Sequence, residues 1–421
     1  MTVTYLKKAD KTPQTGTDET QAIVSEMLSR IEDEGEDAVR AYAEKLDNFT
    51  GDVIISKEQI AAAAEKVSEQ LKADIQFSYV RVTKFAQAQK DSITEFETEL
   101  SPGLWAGQKL IPIETAGCYV PGGRYAHVAS AIMSVATAKV AGVENVIACS
   151  APNGNDGPHP AILYAMHLSG ADTILSLGVV QAIASMAFGL FTGNKARILV
   201  GPGNRLVAEA KRMLYGRVGI DMFAGPSEVT VIADKFSKPE WVSADLIAQS
   251  EHDEMSQSIL ITNSKDLILK VNQSIKKQLK FLPKRMIASK SLKNFGLAIL
   301  LNNLKEAGKV VNIIAPEHLQ IYTKNPDIFL NSINNAGSIF LGPYSPEALG
   351  DYIAGPNHVL PTSGTAKFSS GLSVYDFLKR QSVIKISKRG IERLGPSVIT
   401  LSKYENLHGH ANSVKLRLKH R

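Results

Sequence analysis

The side chains able to do chemistry fall in four separated clusters: Gln249-x-x-His252, Glu317-His318, Asp351 with His358, and Glu405 with His408 and His410. Amide oxygen, imidazole nitrogen and carboxylate oxygen make a borderline ligand set of the kind zinc accepts. Gln249 and His252 stand three apart in a predicted helix, which turns both to one face. Asp351 adds a hard oxygen, and a histidine from the tail completes the set. A lone Gln-x-x-His pair is equally the polar end of an ordinary helix, so spacing leaves open whether these groups meet. Glu317-His318 follows a turn at Pro316. A carboxylate beside an imidazole can hold and transfer protons near neutral pH, although alone it reads as readily as a surface acid beside an ordinary histidine. Lys367 and Arg380 are candidate anion contacts or plain surface charges.

Two glycine turns precede these clusters. Gly201-Pro202-Gly203-Asn204 follows an Ile-Leu-Val strand and opens a helix, so the backbone can approach a ligand and Asn204 can hydrogen-bond to it. Pro121-Gly122-Gly123 does the same after Tyr119. Neither is the G-x-G-x-x-G dinucleotide fingerprint. No Walker phosphate loop, serine-hydrolase elbow or zinc-finger cysteine set is present.

The elements that must position these groups read in three stretches. Residues 19–100 are mainly helical: 19–46 carries Ile23, Met27, Ile31, Val39 and Tyr42 at helical spacing with a break at Gly35, 56–64 is a second helix and 75–89 a third. Next, strands at 145–149, 173–176 and 197–200 alternate with helices at 161–168, 181–188 and 207–214, the signature of a parallel sheet under covering helices. After a boundary near Pro226 the alternation resumes with strands at 228–233 and 258–262, a capping box at Ser237-x-Pro239-Glu240, and a helix at 267–279. The runs 311–314, 318–321 and 338–340 extend that sheet, and helices are expected at 373–380 and 391–410.

The 421 residues suffice for two or more domains. Composition is that of an ordinary globular chain, 44% hydrophobic and 21% charged, and a formal charge of +5 spread among acids argues against a nucleic-acid track. Lys415 to Arg421 is a short basic tail that reads as solvated surface. Cys118 and Cys149 make no disulfide framework, no secretory signal opens the chain, and the apolar run at 125–138 is too short to span a bilayer. A cytoplasmic protein without membrane or nucleic-acid partners is the expectation.

The ordered motifs resemble the histidinol dehydrogenase family over nearly the whole chain. They are Gly117-Cys-Tyr-Val-Pro-Gly-Gly123, Gly201-Pro-Gly-Asn204, Asp221-Met-Phe-Ala-Gly-Pro-Ser-Glu228, Gln249-x-x-His252, Pro316-Glu-His-Leu319, Gly350-Asp-Tyr352, Gly355-Pro-Asn-His-Val-Leu-Pro361 and the segment from Glu405 to His410. The resemblance implies an NAD- and zinc-dependent oxidation of an alcohol through an aldehyde to a carboxylate. It implies one zinc per subunit on Gln249, His252, Asp351 and His410, with His410 reaching across a homodimer whose C-terminal parts exchange. It makes Glu317 and His318 the proton-transfer pair, and Tyr119, Gln181 and Asn204 the cofactor contacts. Ser227, Gln249, His252, His318, Asp351, Tyr352, His358, Glu405 and His410 become the substrate contacts.

The implied fold is α/β, with two Rossmann-like domains, a helical N-terminal segment and an exchanged tail. Its expected parts are an arm at 1–19, a metal and catalytic domain at 20–118 with 230–372, an NAD domain at 119–229 and a dimerisation tail at 373–421. Gly178-Val-Val-Gln181 stands where biosynthetic members carry Gly-Gly-Ala-Gln. Thr4-Tyr-Leu-Lys7, Phe85-Ala-Gln-Ala-Gln89 and Gly117 through Tyr125 are more similar to the sulfopropanediol dehydrogenase-like paralogues, which oxidise 2,3-dihydroxypropane-1-sulfonate. That diol therefore ranks ahead of L-histidinol. A non-catalytic metal-binding assembly protein is the reading from another class, distinguished by zinc binding without NAD reduction.

Overall fold

The computed structural model describes residues 3–7, 18–122, 126–154, 156–283 and 285–419, so Gly123, Tyr125, most of the N-terminal arm and the final two basic residues lie outside the described residues. Strand β1 (Val3–Lys7) opens the chain, and four helices follow: α1 (Asp18–Glu34), α2 (Glu36–Asp47), α3 (Lys57–Glu65) and α4 (Glu69–Asp91). Val24, Met27, Leu28 and Ile31 bury one stripe of α1. Gly35, at a φ of 66°, breaks the helix before Ala38, Val39 and Tyr42 resume the stripe in α2. Helix α3 begins at the reciprocal Ser56–Gln59 capping box.

An antiparallel hairpin comes next, β2 (Phe96–Ser101) and β3 (Leu104–Pro112), turning at Pro102-Gly103. The alternation then runs β4 (Thr115–Val120), α5 (Val128–Ala141), β5 (Asn145–Ser150), α6 (Pro160–Leu168), β6 (Thr173–Ser176), α7 (Val179–Phe188), β7 (Ile198–Val200), α8 (Arg205–Leu214) and β8 (Gly219–Ile220). These five strands form a parallel sheet in the order β6-β5-β4-β7-β8. Strand β4 is buried along its whole length because helices cover both faces. Ala116, Cys118 and Val120 pack toward α4, α5 and α6, and Tyr119 toward α1, α2 and α7. Both cysteines are free and buried.

The second unit runs β9 (Glu228–Ala233), α9 (Pro239–Ser250), β10 (Gln257–Thr262), α10 (Lys265–Gln278), α11 (Arg285–Phe295), β11 (Leu297–Leu301), α12 (Ala307–Ile314), β12 (His318–Tyr322), β13 (Ser338–Leu341) and α13 (Glu347–Tyr352). Its six-stranded sheet has the order β1-β11-β10-β9-β12-β13, parallel except for the edge strand β1. Each sheet starts at its centre, adds two strands to one side and then crosses to the other. The reversals fall between β4 and β7 and between β9 and β12. The tail is β14 (Leu378–Ile386), α14 (Lys388–Tyr404) and α15 (His408–Lys419), with β14 antiparallel to β3. Among the described residues no helix is long and apolar enough to cross a membrane.

Several sequence expectations differ from this architecture. Residues 311–314 end helix α12, with Val310 and Val311 buried and Ile313 65% exposed, a helical stripe that a short apolar run disguises as a strand. Over 373–380 the Ser373–Asp376 capping box closes one 3₁₀ turn only, and the chain enters β14. Ser237 caps no helix: it accepts the Asp234 N–H at 3.0 Å, and α9 starts at Pro239 behind Lys238. Sheet membership also redraws the expected parts. Helices α1 to α4, grouped above with 230–372, build the core of the five-stranded unit, the expected boundary at 118/119 falls inside β4, and the arm lends β1 to the other sheet.

Candidate active site

Strands β9 and β12 lie side by side with His318 opposite Val229, so their amino ends bring Glu228, Glu317 and His318 together. All three are buried. The Glu228 N–H donates to Glu317 Oε2 at 2.8 Å, which turns the Glu317 carboxylate back beside His318 Nδ1 at 3.5 Å. His318 Nδ1 also lies 3.2 Å from the Glu228 carbonyl oxygen. With only acceptors there, Nδ1 carries the hydrogen, and Nε2 is the basic atom, 3.8 Å from Asp351 Oδ1.

Helix α9 delivers Gln249, fully buried, in its last turn. His252 falls beyond the C-cap Glu251, in a turn and not in the predicted helix, with its N–H donating to the Gln249 carbonyl at 3.3 Å. The pair converges all the same: His252 Nε2 is 3.8 Å from Asp351 Oδ2. One helical turn before Asp351 on α13 stands Glu347, which the sequence reading passed over. Ligand atoms of His252, Glu347 and Asp351 all lie within 4.8 Å of one another. With its amide nitrogen toward Glu347, Gln249 donates to both carboxylate oxygens at 2.6 and 3.1 Å. With its oxygen turned there, an intervening cation or proton is required.

The charge balance supports a cation. Burial and then Glu317 push the Glu228 carboxyl up to about 7. Burial, only partly offset by His318, pushes Glu347 up to about 8. Burial alone would lower His318, yet Glu317, then Glu347 and Asp351, raise it to about 10. A buried nest of carboxylates is thus short of positive charge, and two nitrogen- or amide-bearing ligands beside two carboxylates match a divalent zinc-type ion. The opposite wall is different. Burial, then His358 and His252, hold His127 down at about 4, and burial lowers His358 as well. His358 Nδ1 faces the Asp351 carbonyl at 3.0 Å, and its Nε2 lies 2.9 Å from Ser130 Oγ on α5, which ties the cation site to the five-stranded unit.

The carboxyl edge of that five-stranded sheet holds the expected cofactor contacts. The Val179 N–H donates to the Tyr119 hydroxyl at 3.3 Å. Gln181 donates to Asp47 at 2.8 Å, while its Oε1 is buried without a partner. Asn204 caps α8, its Oδ1 accepting the N–H groups of Leu206 at 3.0 Å and Val207 at 3.1 Å. Gly201 has a φ of 113°, and a Cβ there would overlap the Tyr119 carbonyl oxygen. A turn that admits only glycine, a buried orphan acceptor and a position at the strand-order reversal fit a dinucleotide.

Ser227 lies just ahead of Glu228, and its carbonyl accepts the Gln257 N–H at 3.0 Å. Tyr352 follows Asp351 and is 60% exposed. Glu405, His408 and His410 are exposed on the tail, and among the described residues no hydrogen bond or ion pair joins them to the site of their own chain. Lys367 and Arg380 are exposed. Sequence reading missed Glu347, Glu228 and His127. Only the i, i+4 spacing of Glu347 and Asp351 could have signalled the first.

A buried carboxylate–imidazole pair beside a cluster able to hold a cation, tied through His358 and Ser130 to the unit that carries the glycine turn, fits the requirements of hydride transfer from an alcohol. The fold and site define an oxidoreductase of the dehydrogenase type, acting on CH–OH groups. Residues 10–418 match the family model for histidinol dehydrogenase, and the chain belongs to that family. It is 47% identical to a histidinol dehydrogenase homolog of Pelagibacter ubique, covering 100% of this chain and 99% of that one. It is 44% identical to the sulfopropanediol 3-dehydrogenase of Ruegeria pomeroyi, over 99% of this chain and 97% of that one. The crystal structure of histidinol dehydrogenase from Elizabethkingia anophelis superposes with a TM-score of 0.93 at 36% identity, covering 98% of this chain and 95% of the other.

Proposed function

We propose that the chain is an NAD- and zinc-dependent enzyme that oxidises a small polar primary alcohol through an aldehyde to a carboxylate, with 2,3-dihydroxypropane-1-sulfonate ahead of L-histidinol as substrate. The observation that carries this reading is the convergence of Gln249, His252, Glu347 and Asp351 beside Glu317 and His318. When bound, zinc polarises the alcohol or aldehyde oxygen and NAD accepts the hydride. Gln249, His252 and Asp351 would hold the metal, with His410 supplied by the partner subunit. His318 takes the alcohol proton at Nε2, and the cation offsets the carboxylate field that otherwise keeps this imidazole protonated. Glu317, anchored through Oε2 to the Glu228 N–H, activates the water for the second oxidation. Tyr119, Gln181 and Asn204 orient the nicotinamide cofactor. Ser227, Tyr352 and His358, with the partner's Glu405, line the substrate.

The ranking of substrates rests on Gly178-Val-Val-Gln181 and on the similarity to the Ruegeria pomeroyi enzyme. The homodimer is part of the same proposal and is supported by apolar side chains left exposed on the tail, Ile384, Leu401 and Tyr404 at 74%, 64% and 89%. The deciding experiment assays NAD reduction with the sulfonate diol, L-histidinol and simple polyols in parallel, before and after chelation. Turnover of the diol that stops on zinc removal is the expected result. Efficient histidinol turnover with none of the diol reverses the ranking. Zinc binding with no NAD reduction on any alcohol supports the non-catalytic assembly protein instead.

A further inference from the structure

We infer that Lys211 and Asp221 are positioning residues for the cofactor: a buried ionic clamp that fixes the Gly201-Pro-Gly-Asn204 turn in its ligand-accepting shape. The inference rests on the functional reading above. The two side chains form an ion pair and are 2% and 0% exposed. Lysine is among the residues least often found fully buried, so its place on the inner face of α8 with Val207, Ala210 and Leu214 calls for a cause.

The cause lies in what the pair holds. Lys211 Nζ donates to the Gly201 carbonyl at 3.0 Å, and the Gly201 N–H donates to Asp221 Oδ2 at 2.8 Å. Both backbone polar groups of Gly201, whose positive φ and close approach to Tyr119 require glycine, are therefore bound by the pair. Asp221 Oδ1 also accepts the Met222 N–H at 2.6 Å, which fixes the start of the segment leading to Ser227 and Glu228. The clamp thus joins the cofactor turn, packed on the Tyr119 carbonyl, to the chain that enters strand β9, whose Glu228 N–H holds Glu317. A buried ion pair is poor evidence for stability, because apolar isosteres often replace one at no cost to folding. Its geometric effect is different, since isosteres cannot hold the Gly201 N–H and carbonyl.

That distinction gives the test. The full-length zinc-loaded protein and its K211M/D221L double variant are compared for melting temperature, zinc content, NAD Kd by calorimetry, and KM and kcat at saturating alcohol. Zinc content at the wild-type level, an NAD Kd and KM raised about tenfold or more, and a kcat within about twofold at saturating NAD are expected. A folded double variant with wild-type NAD affinity, or one whose kcat falls at unchanged KM, overturns the clamp. A wild-type protein that binds no NAD overturns the functional reading and the clamp together. If the double variant does not fold, hydrogen exchange of the wild type decides. Amides of Gly201, Gly203 and Asn204 protected before NAD is added support a preset turn, and rapid exchange there that slows only with NAD refutes it.

Discussion

Glu347 is the residue on which the cation site most depends beyond the ligands foreseen from sequence. It is 2% exposed, one turn from Asp351, and its carboxylate faces the Gln249 amide. Changing Glu347→Gln keeps the shape and removes a charge. Zinc affinity is expected to fall about 10–100-fold, read by competition with a chromophoric chelator; an unchanged zinc Kd would reduce Glu347 to a prop for Gln249. Asp245 gives a pH prediction at the same scale. Burial pushes its carboxyl up from 3.8 to about 6, although Gln320 donates to it at 2.8 Å. The folded state then binds the proton more tightly than the unfolded chain. The cost of Asp245 is therefore fully present above about pH 6 and gone below about pH 4. Asp245→Asn should stabilise the protein by about 1–3 kcal/mol at pH 8, with the gain in melting temperature vanishing near pH 4. A gain independent of pH would assign the effect to packing.

Helix α7 begins with an element-scale departure. Val179 has a φ of 41°, where a β-branched side chain is strained, and its N–H is held by the Tyr119 hydroxyl. Val179→Gly should release roughly 1–3 kcal/mol of strain against about 0.5–1 kcal/mol of added chain entropy, for a small net rise in thermal stability. A lower melting temperature would mean that the valine packs better than its backbone suggests. The strain itself was invisible in sequence, whereas the strands around it were readable because short buried runs such as Thr173–Ser176 and Glu228–Ala233 are bounded by turns. The same rule failed at 311–314, where Val-Asn-Ile-Ile imitates a strand, and at β2 and β3: β2 alternates Phe96, Thr98 and Leu100 with acids but lies exposed along nearly its whole length, and β3 contains a glycine and no regular alternation. Gln249, His252 and Asp351 were legible by motif. Glu347 and Lys211 were not, because an acid and a lysine on helices read as surface until burial is known.

At the scale of the molecule, two sheets of the same winding meet at unlike edges. The five-stranded sheet offers its carboxyl edge, with Tyr119 and Gly201, and the six-stranded sheet offers its amino edge, with Glu228 and His318. Ser130 and His358 bridge them at 2.9 Å. Within one chain the tail lies outside this arrangement, since β14 pairs with β3 and Glu405 and His410 remain exposed. If the tail completes a neighbour's site, each site draws His318 from one chain and His410 from the other. Homodimers of His318→Asn and of His410→Ala should then both be inactive. Co-expressed, the two variants form heterodimers in which one site combines the intact His318 of the His410→Ala chain with the intact His410 of the His318→Asn chain, and activity returns. Complementation without recovery, from heterodimers verified by dual affinity tags, would place His410 in the site of its own chain or outside the chemistry.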